Sequence, residues 1–159
     1  MLILDGKNAS QSIKDSLKNE VNDLIAKNIK PGLGIILVGE RKDSHTYVRM
    51  KKNACKEVNI NNFDVILPEN IDESTLLINI NEMNQNSEIH GILVQLPLPA
   101  HINEEKILSQ VSLIKDVDGF HPENIGKLAL KRLENICVPC TPDGCLKILD
   151  FYDIEISGK

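Results

Sequence analysis

In the run "DSHTYVRMKKNACKEV", residues 43 to 58, a lysine stands where a helix should turn its apolar side. Residues three and four apart share one face of a helix, so Tyr47, Lys51, Cys55 and Val58 form one stripe. Arg49, Lys52 and Lys56 fall on a second stripe that is wholly basic. Burial disfavours a lysine's ammonium form and makes an inward amine a proton carrier near neutrality. The structural alternative is a stem packed on the core with its tip snorkelling into water. Spacing alone leaves both open. The apolar run "GILVQ" delivers Gln95 at its end, where a carbonyl would fix the direction of such an amine.

Asp116 and Asp118 in "KDVDGF" form a D-x-D. Two carboxylates in a glycine-containing loop can hold a divalent ion, but oxygen sites need several more ligands, and no EF-hand continuation follows. A turn with Asp118-Gly119 at its corner is the alternative. Cys137 and Cys140 form a C-x-x-C in "CVPC". Cys145 and His121 do not extend it to any common zinc spacing, and a redox motif should open a helix directly after a strand. These read as buried or incidental thiols. His45 and His90 have no paired partner, and no nucleophilic triad can be assembled. There is no G-x-G-x-x-G, "GLGIILVG" has the wrong spacing, and the final "SGK" lacks the preceding glycine of a phosphate loop. The chain carries no nucleotide fingerprint and no metal motif.

The elements that must position these residues follow from periodicity. Ala9, Ile13, Leu17, Val21 and Leu24 predict a helix over 7–28, stopped by "KPG". "LGIILV", 33–38, reads as a parallel strand covered on both faces. Gly39 then turns the chain into the 43–58 helix, and "FDVILP" is a second strand. Asp72 caps a helix with Leu76, Ile80 and Met83 inward. "GILVQLPLP", 91–99, is a third strand, and a short helix follows at about 104–111. His121, before Pro122, is a possible cap; Thr141 and Pro142 are the N-cap and first position of a last helix to about 152. The fold class is α/β, three-layered, with a mostly parallel sheet flanked by helices on both faces. Ligands of such sheets sit beyond the C-terminal strand ends. Helix side chains lean towards their own N-terminus, so Lys51 reaches back towards Gln95 over a pocket edged by Tyr47.

At 159 residues the chain fits one domain with a sizeable core, and 42% hydrophobic residues mark it as globular. A net charge of −5 argues against a general nucleic-acid or anionic-membrane partner. No apolar run approaches the roughly 18 residues of a membrane helix. With four cysteines and no secretory signal in "MLILDGKN", a reduced cytoplasmic setting is expected.

Four motifs in order, "VGERKDSHTYVRMKKNACKEVNI", "GILVQLPLP", "KDVDGFHPENIGKL" and "PCTPDG", resemble the bifunctional methylenetetrahydrofolate dehydrogenase/cyclohydrolase family, usually called FolD. The likeness runs from Leu4 to the last residue. It implies that Lys51 of Tyr47-Val48-x-x-Lys51 is the catalytic proton carrier and that Tyr47 packs on the folate rings. Val94-Gln95-Leu96-Pro97 would supply the glutamine that modulates the lysine, Pro97-Leu98-Pro99 would form a wall that positions the substrate, and Asp118 would bind the pterin. It also implies one-carbon metabolism feeding purine synthesis, NADP as cofactor, and a homodimer of the complete enzyme. Departures include Asp43 for the usual alanine, Asn53 for a basic residue, Asn59 for a glycine and Cys145 for a smaller or aliphatic residue. Residues 1–140 are expected to form the folate-binding catalytic domain. Residues 141–159 would be a linking helix and the start of an absent NADP-binding Rossmann domain. A non-catalytic folate-binding or regulatory module is the first alternative, which a reading frame continuing past Lys159 would disfavour. A D-x-D metal-dependent transferase is the second, which metal titration would expose.

Overall fold

The computed structural model describes residues 3–132, 134 and 136–158. Helix α1, Gly6–Ala26, leads to strand β1, Gly32–Val38, helix α2, Lys42–Glu57, and strand β2, Asn61–Leu67. Helix α3, Glu73–Gln85, and strand β3, Gly91–Val94, complete a parallel sheet of order β2-β1-β3. Helix α4, Glu104–Leu108, a 3-10 turn at Leu113–Lys115, helix α5, Pro122–Ala129, and helix α6, Cys140–Phe151, follow.

The central strand β1 is apolar throughout because both its faces are covered. Side chains alternate across a sheet. Ile36 and Val38 therefore pack with Ile92 and Val94 against Leu76, Ile80 and Met83 of α3. Ile35, Leu37 and Leu93 pack on the opposite face against Val48 of α2. The three layers expected from the sequence are present.

Local chemistry fixes the helix ends. Asp72 accepts from the Thr75 N–H at 2.7 Å and starts α3. His121 Nδ1 accepts from the Glu123 N–H at 3.1 Å and starts α5, with Pro122 at the first position. Asp5 caps α1, accepting from Lys7 and Asn8. Lys115 Nζ donates to the carbonyls of Met83, Asn84 and Asn86, so a lysine from a later segment satisfies the C-terminal end of α3.

Several expectations change. Strand β3 stops at Val94, because the chain leaves the sheet at Gln95, although the Gln95 N–H still donates to the Ile36 carbonyl at 2.8 Å. Thr141 lies inside the first turn of α6, whose flanking residue is Pro139, and makes no side-chain cap. On α1 only Ala9 and Val21 are buried, while Ile13 and Leu24 stay exposed because α1 lies outside the sheet layers. The Tyr152 hydroxyl instead ties α6 to the start of α1, accepting from the Asp5 N–H at 3.0 Å. Lys159 of the closing Ser-Gly-Lys lies outside the described residues.

The packing of α3 on the sheet yields a stability prediction. Ile80 is 1% exposed in the larger core cluster. Ile80→Ala should lower unfolding free energy by about 2–5 kcal/mol. A lower urea midpoint at an unchanged slope is the expected result; an unchanged midpoint would contradict this packing.

Candidate functional site

The alternation along β3 decides what faces α2. Leu93 and Gln95 point towards that helix, whereas Ile92 and Val94 point to the α3 side. On α2 the inward stripe runs Ser44, Val48, Lys51 and Cys55, with Lys51 the one long polar member. Lys51 Nζ donates to Gln95 Oε1 at 3.0 Å. Gln95 Nε2 donates to the Leu96 carbonyl at 2.8 Å, which turns the amide oxygen towards the lysine. The lysine tip is therefore held over the sheet rather than free in water.

Together these residues line a cleft of about 740 Å³ between α2, the sheet and the segments around Val117 and Pro139. Tyr47 stands at its mouth, 59% exposed, and Phe120 faces it from the other side. Two of the five aromatic residues in the chain are thus placed around one half-open space, which suits a flat ring.

Asp118 also opens into this cleft. Burial pushes its carboxyl up from the ordinary value, with the Lys51 charge opposing and Asp116 reinforcing the shift. A bond from Cys140 Sγ at 3.8 Å also opposes it. Asp116 has a different task. Its buried carboxylate accepts from the Gly119 N–H at 3.1 Å, the His121 N–H at 2.9 Å and Asn124 Nδ2 at 2.7 Å. One acid orders the loop, and the other faces the space. Gly119 is required by both its φ of 70° and its neighbours, since a Cβ would lie 2.5 Å from the Cys137 carbonyl oxygen. Among the described residues no three His, Cys, Asp or Glu side chains are grouped to hold a metal ion.

The structure gathers Tyr47, Lys51, Gln95, Leu96 and Asp118 around the cleft. It does not bring Val48, Val94 or Pro97 to it. Val48 and Val94 are core residues on opposite sides of the sheet, and Pro97 lines a separate depression with Val38 and Leu98. Sequence reasoning passed over Phe120, Pro139 and Cys140 as lining residues, although "DGF" and "PCTP" contain them. Asp43, at the start of α2, is paired with Arg41 at 2.7 Å, whose hydrogen bonds hold its carboxyl down to about 2. A second cleft, of about 630 Å³, lies across α2 and includes Lys30, Lys52, Lys56 and Asn61. It has no aromatic lining, and Lys52 there is paired with Asp64.

Comparison with known proteins gives the family of the chain. The family model for the tetrahydrofolate dehydrogenase/cyclohydrolase catalytic domain matches residues 4–118. The chain is 52% identical to the bifunctional protein FolD 2 of Arabidopsis thaliana, over 99% of this chain and 53% of that protein. It is also 52% identical to the bifunctional protein FolD of Nautilia profundicola, over 100% of this chain and 55% of that protein. The crystal structure of the FolD methylenetetrahydrofolate dehydrogenase/cyclohydrolase from Campylobacter jejuni superposes with a TM-score of 0.96 at 47% identity, covering 100% of this chain and 56% of that one. The Trypanosoma brucei methylenetetrahydrofolate dehydrogenase-cyclohydrolase, solved with NADP and an inhibitor, gives 0.95 at 37% identity, covering 99% and 54%. The chain spans about half the length of the curated relatives it matches.

Burial of Asp118 has a pH signature. Its folded carboxyl titrates above the ordinary 3.8, so the fold favours the protonated form. That stabilisation is complete below pH 3.8 and is lost as pH rises through the raised value. Asp118→Asn cannot ionise, so its stability relative to the native chain should grow across that window. Thermal melts from acid to neutral pH read the difference; one that shrinks or stays flat with rising pH would reverse the assignment.

Proposed function

The chain belongs to the tetrahydrofolate dehydrogenase/cyclohydrolase family, and on that premise we propose that it supplies the folate site and the catalytic lysine of a bifunctional enzyme of one-carbon metabolism. The whole enzyme would oxidise methylene-tetrahydrofolate to the methenyl cation with NADP as acceptor, then hydrolyse the cation to formyl-tetrahydrofolate. The observation that carries this is the Lys51 amine held on Gln95 inside the cleft that also presents Tyr47 and Asp118.

The dinucleotide does not fit the described residues. Gly39 follows a strand as a phosphate-binding glycine would, but it packs against Glu69, whose charge repels a phosphate. In this reading NADP is held by the remainder of the whole enzyme, which the relatives' greater length can accommodate. Residues 1–140 would be the folate domain, and 141–159 the link to that remainder. The whole enzyme would work as a cytoplasmic homodimer, feeding formyl groups to purine synthesis.

The hydrolytic half can be derived from this chain. A pterin offers an exocyclic amine and a ring N–H side by side, and the Asp118 carboxylate accepts both. Those donors replace the water that burial removed from Asp118. Tyr47 covers the ring face. In its unprotonated form the Lys51 amine has two N–H donors and one lone pair, with Gln95 Oε1 accepting one N–H. The lone pair accepts a proton from the water that attacks the methenyl carbon. The resulting ammonium returns that proton to the ring nitrogen as its bond to carbon breaks. The carbinol hydroxyl gives its proton to the freed Lys51 amine, and through it to solvent, as the formyl C=O forms.

Proton transfer of this kind contributes about two to four orders of magnitude in rate. In the complete enzyme, Lys51→Ala should lower methenyl-tetrahydrofolate hydrolysis by about that factor, while reduced-folate binding persists through Asp118 and Tyr47. Near-native hydrolysis by the variant, followed by loss of methenyl absorbance, would return Lys51 to a packing role.

A further inference from the structure

The C-x-x-C that read as incidental thiols occupies the wall of the cleft. Cys137 Sγ lies 3.2 Å from the Val117 carbonyl oxygen, and Cys140 Sγ lies 3.6 Å from the same atom. Two thiols from one short segment therefore converge on a single acceptor. That acceptor belongs to the residue before Asp118, and Cys140 also donates to the Asp118 carboxylate. Cys140 is exposed at the cleft wall, and Cys137 is half-buried behind it. Cys55 is buried under α2. Cys145 lies five residues beyond Cys140 on α6, about 140° around the helix axis.

We propose that Cys137 and Cys140 form a reversible thiol–disulfide site, and that closing it withdraws Asp118 from its ligand. The oxidant class is a small disulfide such as glutathione disulfide. The Cys140 thiolate attacks one of its sulfurs, and a glutathione thiolate leaves. The Cys137 thiolate then attacks the Cys140 sulfur and expels the second glutathione. The protein sulfurs lose two electrons, the small disulfide gains them, and the two thiol protons end on two molecules of glutathione.

Closure has a mechanical consequence. A disulfide has no S–H, so the Cys137 bond to the Val117 carbonyl is lost together with the one Cys140 hydrogen that lies between the Val117 carbonyl and Asp118. The wall cannot shift alone, because Gly119 is packed against the backbone of Cys137, Val138 and Pro139 without room for a Cβ. Movement at 137–140 is therefore passed to the loop carrying Asp118. In the open form burial pushes both thiols up, and the neighbouring Asp118 adds to this for Cys140. The thiolate is the nucleophile, so closure is slow at neutral pH and accelerates as pH rises.

The ligand effect rests on the folate reading, whereas formation of the bond does not. The 159-residue chain is incubated with glutathione disulfide at mildly alkaline pH. It is then read by intact mass, peptide mapping and titration with 5-formyl-tetrahydrofolate, a stable reduced folate. Expected are loss of two hydrogens with no glutathione retained, a Cys137–Cys140 linkage, and folate binding about tenfold weaker, the size of one lost hydrogen bond. Dithiothreitol should restore binding, and bound folate should slow closure by covering Cys140. Cys137→Ser should keep glutathione on Cys140, form no internal bond, and bind folate normally when reduced. A linkage through Cys55 or Cys145, no internal linkage, or unchanged affinity after closure would overturn the proposal. If the reduced native chain binds no folate, the folate reading fails and the mass measurement alone decides the thiol site.

Discussion

A carboxylate shut away from water must direct its lone pairs at protein donors, and Asp116 directs its own at three, from Gly119, His121 and Asn124. Those bonds fold the chain around the acid and deliver the next helix, α5, with His121 already placed as its cap. Lys115 ties the other side of the loop to the end of α3, and Asp116 itself bridges to Ile92 of β3. Asp118 inherits its position from this frame without taking part in it. Each donor left without Asp116 would be an unmade buried bond, at about 1–3 kcal/mol each, so the loop has little freedom to reorganise.

The same alternation that builds the core also builds the cleft. Leu93 seals α2 onto the sheet, and Gln95, two residues on, meets the lysine of that helix. Helix α2 sets the lysine, and Gln95, one residue past β3, is fixed by its N–H bond to the Ile36 carbonyl and by its amide's bond to the Leu96 carbonyl. Electrostatics distinguish this space from the lysine-lined cleft across α2. There the amines meet asparagines and a paired carboxylate. Here a single amine faces a desolvated acid and two aromatic rings. The cleft thus holds an acid whose ionised form burial disfavours, beside the amine that opposes that shift.

What was legible in the sequence was local or periodic. The caps at Asp72 and His121, the covered strand β1, and the inward Leu76, Ile80 and Met83 are all set by neighbours within a few residues. The Lys51–Gln95 pair was legible because helix lean and strand end are both local geometry. Val48, Val94 and Pro97 were assigned as members of the family motifs, and a motif fixes the order of residues rather than the face each side chain takes. Val48 and Val94 pack in the core and Pro97 lines a separate depression. Phe120 and the wall at 137–140 depend on a contact across about twenty residues of chain, which no periodicity announces. Ile13 and Leu24 misled for a related reason: a clean apolar stripe does not say how much of it a neighbour will cover.

The central claim is that the cleft between α2 and the Asp118 loop is the reduced-folate site. It is tested most directly by two-dimensional amide NMR of the isotope-labelled chain during titration with 5-formyl-tetrahydrofolate. The account predicts saturable shifts at Tyr47, Lys51, Gln95, Asp118 and Gly119, with Lys30, Lys56 and Asn61 of the other cleft unmoved. Shifts centred on that lysine-lined cleft, or a spectrum unchanged at saturating ligand, would contradict it.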